Sequence, residues 1–268
     1  MVHNIKVLVK GGGDLASGVV HRLHRAGMKV MVTELPQPTV IRRAVAFAAA
    51  IYEDVVEIEG VVGRRAASVE QALLSLHGDE VPVLPDAEGE MVSQWDADVL
   101  VDGIMAKRNT GTKIGDAPIV IGLGPGFVAG VEVHAVIETK RGHYLGRVIL
   151  EGSAAPDTSI PGEVMGYSVE RVLRAPCAGI FRGDRRIGDG VEAGETVGYV
   201  DGWPVVATVS GVVRGLLADG LAVREGMKVG DVDPRGVKEH CFTISDKARA
   251  IGGGVLEAIL YLRRKLSG

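Results

Sequence analysis

Cysteine is scarce in this chain: Cys177 and Cys241 are the only two in 268 residues. Thiols so far apart build neither a disulfide framework nor a zinc knuckle, which points to a reducing compartment. An excess of basic charge is missing as well. Lys and Arg number 30 against 34 Asp and Glu, a formal charge of -4; nothing here is made to grip a phosphate backbone, and nucleic acid is not expected as a partner. Long apolar runs are absent too. The longest, Ala44 to Ile51, falls far short of the roughly 20 residues that cross a bilayer. The chain also passes from Met1–Asn4 straight into an apolar strand, so no membrane partner and a cytoplasmic location are expected. Aromatics make up only 4%.

What is present is globular. Apolar residues are 46% and charged residues 24%, which rules out disorder, and the length suits one large or two ordinary domains. Glycine is abundant, with 38 residues, about twice the usual share of roughly 7%.

The first part of the chain alternates strands with helices. Ile5 to Val9 is a short apolar run, Leu15 to Ala26 places its apolar residues at helical spacing, Gly27 stops that helix, and Met28 to Thr33 is the next strand. A helix near Thr39 to Tyr52, a strand near Val55 to Val62 and a helix from Ser68, capped with Gln71, follow. Further strands fit Val81 to Leu84, Val99 to Asp102, Ile119 to Ile121 and Val131 to Glu138. The expected class is therefore α/β, with a doubly wound, Rossmann-like parallel sheet over 1–150. A Gly, Ser, Pro and Ala-rich linker is expected over 151–170.

Sliding the sequence on itself by 32 residues reveals an internal repeat. Gly179, Arg182 and Gly183 fall on Gly211, Arg214 and Gly215, and Val191, Gly194, Val197, Gly198 and Val200 fall on Val223, Gly226, Val229, Gly230 and Val232. Two such halves form a small all-β barrel over 171–232 that resembles the biotinyl and lipoyl carrier domain. The carrier's modified lysine is replaced here by the hairpin Asp201, Gly202, Trp203 and Pro204. The last segment, 233–268, contains a helix capped by Ser245 and is expected to return to the sheet domain beside the first glycine loop. Gly252, Gly253 and Gly254 would weaken that helix by about 1 kcal/mol each, so either it starts at Val255 or something packs tightly on its backbone.

Gly11, Gly12, Gly13, Asp14, Leu15 and Ala16 form a Gly-x-Gly-x-x-Ala motif between a strand and a helix. Such a corner turns at the first glycine, admits a pyrophosphate at the second, and aims helix amides at it. Glu34 ends the second strand where an acid binds ribose hydroxyls. The competing account is a glycine turn that holds no nucleotide. Gly122, Gly124 and Gly126 follow another strand and either border the same crevice or make a tight connection. Asp102, Lys107, Arg108 and Asn109 lie at the same edge, as anion contacts or as a charged loop. Glu138, Arg141 and His143 read as surface pairing. Lys247, Gly252 and Gly253 join the cofactor candidates through the returning helix. Cys241, near cations and a helix start, is the one candidate catalytic thiol if its pKa is lowered; the alternative is an inert buried cysteine. No metal site is expected.

Four motifs carry a resemblance over nearly the whole chain: Asp-Leu-Ala-Ser-Gly within 12–25, Ala-Lys-Arg-Asn at 106–109, Ile-Gly-Leu-Gly-Pro-Gly-Phe at 121–127 and His-Ala-Val-Ile-Glu-Thr at 134–139. With the closing run Cys241 to Gly254, they resemble the YqeB-type accessory proteins of the selenium-dependent molybdenum hydroxylase system. The sheet domain is similar to that of XdhC-type maturation factors. The resemblance implies a maturation role: assisting insertion of a selenium or sulfur ligand, or of the molybdenum cofactor itself, into a client molybdenum hydroxylase. The phosphate-bearing ligand would then be NAD, another nucleotide or the molybdenum pterin cofactor. An NAD-dependent oxidoreductase and a non-catalytic adaptor that docks the hydroxylase through its barrel are the alternatives.

Overall fold

The computed structural model describes residues 4–76, 78–158 and 160–266. Ser159, within the expected linker, and Ser267 and Gly268, at the end of the expected C-terminal segment, lie outside the described residues. The chain divides into two compact units. The described residues of 1–38, 46–157 and 244–268 make the first, and those of 39–45 and 158–243 the second.

In the first unit, strand residues alternate between two cores, the period-2 signature of a sheet covered on both faces. The strands are β1 (Lys6–Lys10), β2 (Lys29–Glu34), β3 (Val55–Ile58), β4 (Val61–Arg65), β5 (Glu80–Pro85), β6 (Val99–Asp102), β7 (Ile119–Leu123), β8 (Ala135–Ile137) and β9 (Val148–Ile149). Val7, Val9, Val30, Val32, Val99 and Val101 enter one core, whereas Leu8, Met31 and Leu100 enter the other. The sheet order is β3-β4-β5-β2-β1-β6-β7-β8-β9. Its inner strands run parallel, and β3 and β9 are antiparallel at the two edges. The architecture is thus mixed α/β rather than wholly parallel.

Helix α1 (Asp14–Arg25) covers the first core together with the 21-residue C-terminal helix, Asp246–Leu266. The short helices α2 (Ala50–Glu53), α3 (Val69–Ser75) and α4 (Met91–Gln94) complete the unit. The C-terminal helix is α5. As the sequence predicts, Ser68 caps α3 by accepting from the Gln71 amide at 3.2 Å, and Ser245 accepts from the Ala248 amide at 3.2 Å. Gly252, Gly253 and Gly254 lie inside α5, so the tight-packing alternative holds. A Cβ on Gly252 would sit 2.7 Å from the Gly18 carbonyl oxygen of α1.

Two expectations change. The region 39–52 is not one helix: it holds 3-10 turns at Arg43–Val45 and Phe47–Ala49 before α2, and residues 39–45 belong to the second unit. The strand expected over 55–62 is the hairpin β3–β4. Its turn residues Glu59 and Gly60 both have positive φ, at 46° and 82°, the conformation of a tight two-residue hairpin turn.

The second unit has two four-stranded antiparallel sheets around its own apolar core. Its strands are β10 (Val172–Arg174), β11 (Gly179–Gly183), β12 (Gly190–Val191), β13 (Thr196–Val200), β14 (Trp203–Val206), β15 (Gly211–Leu216), β16 (Ala222–Val223) and β17 (Lys228–Asp233). The 32-residue offset maps β10–β13 onto β14–β17. The halves exchange strands: one sheet is β10-β17-β15-β12 and the other β14-β13-β11-β16. No helix among the described residues is long and apolar enough to cross a membrane.

Candidate functional site

Strands β2 and β6 flank β1, so the chain leaves β1 in one direction for β2 and later resumes on its other side at β6. Ligands of open α/β sheets gather at the carboxyl ends where strand order reverses in this way. The glycine corner sits there. Gly11, at φ +84°, turns the chain away from the sheet while its amide still donates to the Thr33 carbonyl at 2.8 Å.

The corner is closed on one side and open on the other. On the closed side, the Gly12 amide donates to Glu34 Oε2 at 2.8 Å, and Glu34 Oε1 accepts from the Leu35 amide at 2.8 Å. Ser17 Oγ donates to the Gly12 carbonyl and accepts from the Phe47 amide. The Ala48 amide also donates to the Gly12 carbonyl, and a Cβ on Gly12 would lie 2.7 Å from Ala48 N. On the open side, nothing stands within 4 Å of where a Gly13 Cβ would be. Gly13 precedes α1 in extended conformation with no side-chain cap. The first-turn amides that follow it lack intrahelical acceptors, as at every helix start, and carry the positive end of the dipole. Ala16 is buried, and a Cβ on Gly103 would meet its Cβ at 2.8 Å, so its small size serves packing between α1 and the end of β6.

Lys247, in the first turn of α5, supplies the cation. It is half-buried and its ammonium forms no hydrogen bond or ion pair with a described residue. Burial pushes its pKa below the ordinary lysine value; Arg141 pushes the same way, against Asp14, Glu138 and Asp246. Lys247 therefore shares its electrostatic surroundings with Asp14 at the start of α1. Arg141 is held by Asp246 at 2.6 Å. Glu138 accepts from the Lys140 and Ala155 amides, so it shapes the loop after β8 rather than pairing on the surface.

The other candidates divide. Asp102 is buried and accepts from Thr112 Oγ1 at 2.6 Å and the Ile104 amide at 3.2 Å, with Lys10 Nζ 4.0 Å away. Asn109 donates to the Thr112 carbonyl and Glu132, and accepts from the Gly111 and Thr112 amides. Both side chains are used up in building the loop after β6. Lys107 pairs with Asp157 at 2.8 Å, and Arg108 is exposed. Side chains on Gly122, Gly124 and Gly126 would strike the Phe127 ring, Thr139 and the Arg108 backbone respectively, which is the tight-connection account. Gly252 is shut against α1, leaving no approach for a ligand, whereas Gly253 faces open space.

Cys241 lies in the second unit, fully buried, with Sγ 3.6 Å from the Val213 carbonyl. Burial pushes its thiol pKa up, outweighing Arg214 and Arg42. The lowered pKa required of a catalytic thiol is absent, because desolvation of the thiolate wins over two nearby guanidiniums.

Sequence reasoning missed Leu35 and Ile104. Lys10 on β1 pairs in register with Thr33 of β2 and with Asp102 of β6, so Leu35 and Ile104 hold equivalent places two residues further along the flanking strands. Both are exposed. Two strand spacings separate those strands by about 10 Å, with glycines 11 and 12 between. An exposed aliphatic residue just past the end of each strand was the available signal.

No protein-family model matches the chain. Over 256 residues it is 47% identical to "Uncharacterized protein YqeB" of Escherichia coli (strain K12), a match that takes in 96% of this chain and 47% of that protein. The chain thus spans about half the length of the curated relative it matches, and identity of that extent supports the YqeB-type resemblance. Among solved structures, a succinylglutamate desuccinylase/aspartoacylase from Rhodobacter sphaeroides is 14% identical over 84% of this chain and 86% of that one, with a TM-score of 0.25. The ectoine utilization protein EutE (DoeB) from Ruegeria pomeroyi is 12% identical over 85% and 86%, also at 0.25. At such scores the likeness carries no argument about fold or chemistry.

Proposed function

We propose that the chain is an accessory factor for a selenium-dependent molybdenum hydroxylase, holding a phosphate-bearing cofactor or nucleotide and assisting insertion of the cofactor or its chalcogen ligand into the client. In this reading the first unit is a Rossmann-like domain and the second a biotinyl or lipoyl-like barrel that has lost the swinging lysine. The single observation that carries the binding step is the open side of the glycine corner: free space at Gly13, a start of α1 without a side-chain cap, and the half-buried, unpaired Lys247 ammonium.

These groups fit a phosphate. Amide hydrogens and a helix dipole favour an anion, and Lys247 counters the carboxylate of Asp14. Glu34 stands on the closed side, with both carboxylate oxygens held by main-chain amides. When bound, a molybdenum pterin would bring the metal and its chalcogen ligand; this chain's residues hold the phosphate and keep the acid side of the corner closed. The YqeB-type motifs support the choice of client.

Calorimetry on the full chain with NAD, ATP, inorganic pyrophosphate and molybdenum pterin cofactor tests the reading. Binding of at least one, weakened tenfold or more by Gly13→Trp and by Lys247→Ala, is expected. No binding, or binding indifferent to Gly13→Trp, overturns it.

A further inference from the structure

One sheet of the second unit carries a covered layer of charge. Val213 of β15 and Val232 of β17 are paired and enter the apolar core, and next to them in sequence Arg214, Asp231 and Asp233 take the other face. Both carboxylates are buried. Two pieces of the same unit pack on β15. From the segment 39–45, Ile41 accepts from the Leu216 amide at 2.8 Å and fills the place of a Gly215 side chain. From the 3-10 turn Lys238–Cys241, Cys241 Sγ lies 3.6 Å from the Val213 carbonyl.

Both carboxylates are already taken. Asp231 accepts from Arg171 at 2.6 Å and from Lys228 at 3.2 Å, and Asp233 accepts from Arg235 at 2.9 and 2.6 Å. Arg214 is left over. Its Nη1 lies 3.3 Å from Asp233 Oδ2, yet its guanidinium makes no hydrogen bond with a described residue, and its Nε is buried without a partner. Burial pushes its pKa below the ordinary arginine value, and Arg42 and Arg235 push the same way, against Asp233 and Asp231. A guanidinium carries five N–H donors, and a buried charge without hydrogen-bond acceptors is costly. In the covering turn His240 Nδ1 is likewise buried without a partner.

We propose that Arg214 anchors a second ligand site, which takes a small tetrahedral oxyanion of the phosphate or sulfate class on the fork of its guanidinium. The sign of the ligand follows from the charges: the two carboxylates at hand are engaged, and Arg42 and Arg235 add positive potential. Its chemistry follows from the donors, because a planar fork matches two oxygens of an oxyanion. Its size follows from access. The Arg214 side chain is 12% exposed, an opening that admits an ion of a few atoms and excludes a nucleotide. The internal repeat supports the same conclusion. Arg182, the counterpart of Arg214 at the 32-residue offset, is exposed, so water can serve its donors; only the covered copy lacks acceptors. The site lies in the second unit and owes nothing to the glycine corner of the first.

Calorimetry of the full chain with sodium sulfate, sodium phosphate and sodium acetate at matched ionic strength tests this. One sulfate per chain is expected, bound alike by the parent and by Gly13→Trp. Its Kd should rise at least tenfold in Arg214→Met and in Arg214→Lys, which keeps the charge and lacks the fork. The lysine variant carries the test alone should the methionine variant melt early by circular dichroism. No saturable binding leaves the buried donors to water and overturns the proposal. So does binding that survives the substitution of Arg214, or that Gly13→Trp abolishes, which assigns the ion to the glycine corner. Acetate held as tightly as sulfate overturns the tetrahedral class in favour of a carboxylate.

Discussion

Two neighbouring glycines at the β1–α1 corner lack side chains for opposite reasons. Gly12 has the Ala48 backbone where a Cβ would go, and Gly13 has open space. Gly12→Ala must push main chain aside and is expected to destabilise the protein by about 1–3 kcal/mol, the usual range for overpacking. Gly13→Ala, at φ -64°, should leave the urea midpoint nearly unchanged. Equal losses from both would mean that the corner is not open. Sequence showed both glycines, yet not this difference, because a missing Cβ looks the same whether it admits a ligand or a neighbouring turn. Lys247 tells the same story. Its spacing placed it at the returning helix; tertiary burial, with Arg141 pushing the same way, depresses its pKa. The unfolded chain therefore binds a proton that the folded chain resists between the lowered folded value and the ordinary unfolded one. Stability should rise with pH through that window, and Lys247→Met should be more stable than the parent at pH 7. That advantage should shrink as pH climbs toward the unfolded lysine value of about 10.4. Urea titrations at pH 7 and 10 read it directly.

At the level of elements, α5 was legible as a helix despite its glycines, and its crossing with α1 explains them. Gly18 and Gly252 face each other: a Cβ on Gly18 would lie 2.7 Å from the Ala248 Cβ, so small residues let the two helix backbones approach. Gly252→Ala gains helix propensity of about 1 kcal/mol but drives a methyl into the Gly18 carbonyl, and a net loss of about 1–2 kcal/mol is expected. Gly253→Ala meets nothing and should stabilise by up to about 1 kcal/mol. Opposite signs in thermal melts of the two variants check the crossing. Elements were misread where the deciding partner is distant or the local pattern runs on. Segment 39–45 reads as the start of a helix because its apolar residues suit one, yet Ile41 and Arg43 bond to Leu216, a partner that no local window contains. Val55 to Val62 reads as one strand because alternation continues through Glu59 and Gly60. Glu59 accepts from the Ile244 amide and Arg249, so its side chain ties the hairpin turn to the start of α5 and offsets its left-handed backbone.

Across the whole molecule, alternation and repeat length were readable because they are periodic, whereas the grouping of segments into units was not, because residues 39–45 and 244–266 each join a unit remote in sequence. The same buried groups that sequence could not rank set the response of the protein to acid. Burial lowers the pKa of His21 and of His134, and His134 Nδ1 accepts from the Val120 amide at 3.0 Å, a bond that protonation of that nitrogen abolishes. Below about pH 6.5 the unfolded chain takes up protons at these positions and the folded chain does not, so stability falls with pH until the folded values are passed, by at most about 1.4 kcal/mol per pH unit for each histidine. The carboxylates act lower down. Glu59, held by Ile244 and Arg249, Glu80, held by Arg64, and Asp233, held by Arg235, all titrate below their ordinary values. Their contributions are complete above the unfolded carboxylate range and are lost as pH drops through the folded values. Acid unfolding should therefore come in two stretches: a histidine slope that begins below about pH 6.5 and ends at the lowered folded values, then a carboxylate slope below about pH 4.5. The double variant His21→Gln, His134→Gln should start from lower stability yet show a flat upper stretch in urea titrations at half-unit pH steps. If the upper slope persists in that variant, other groups carry it and the assignment to these two buried rings fails.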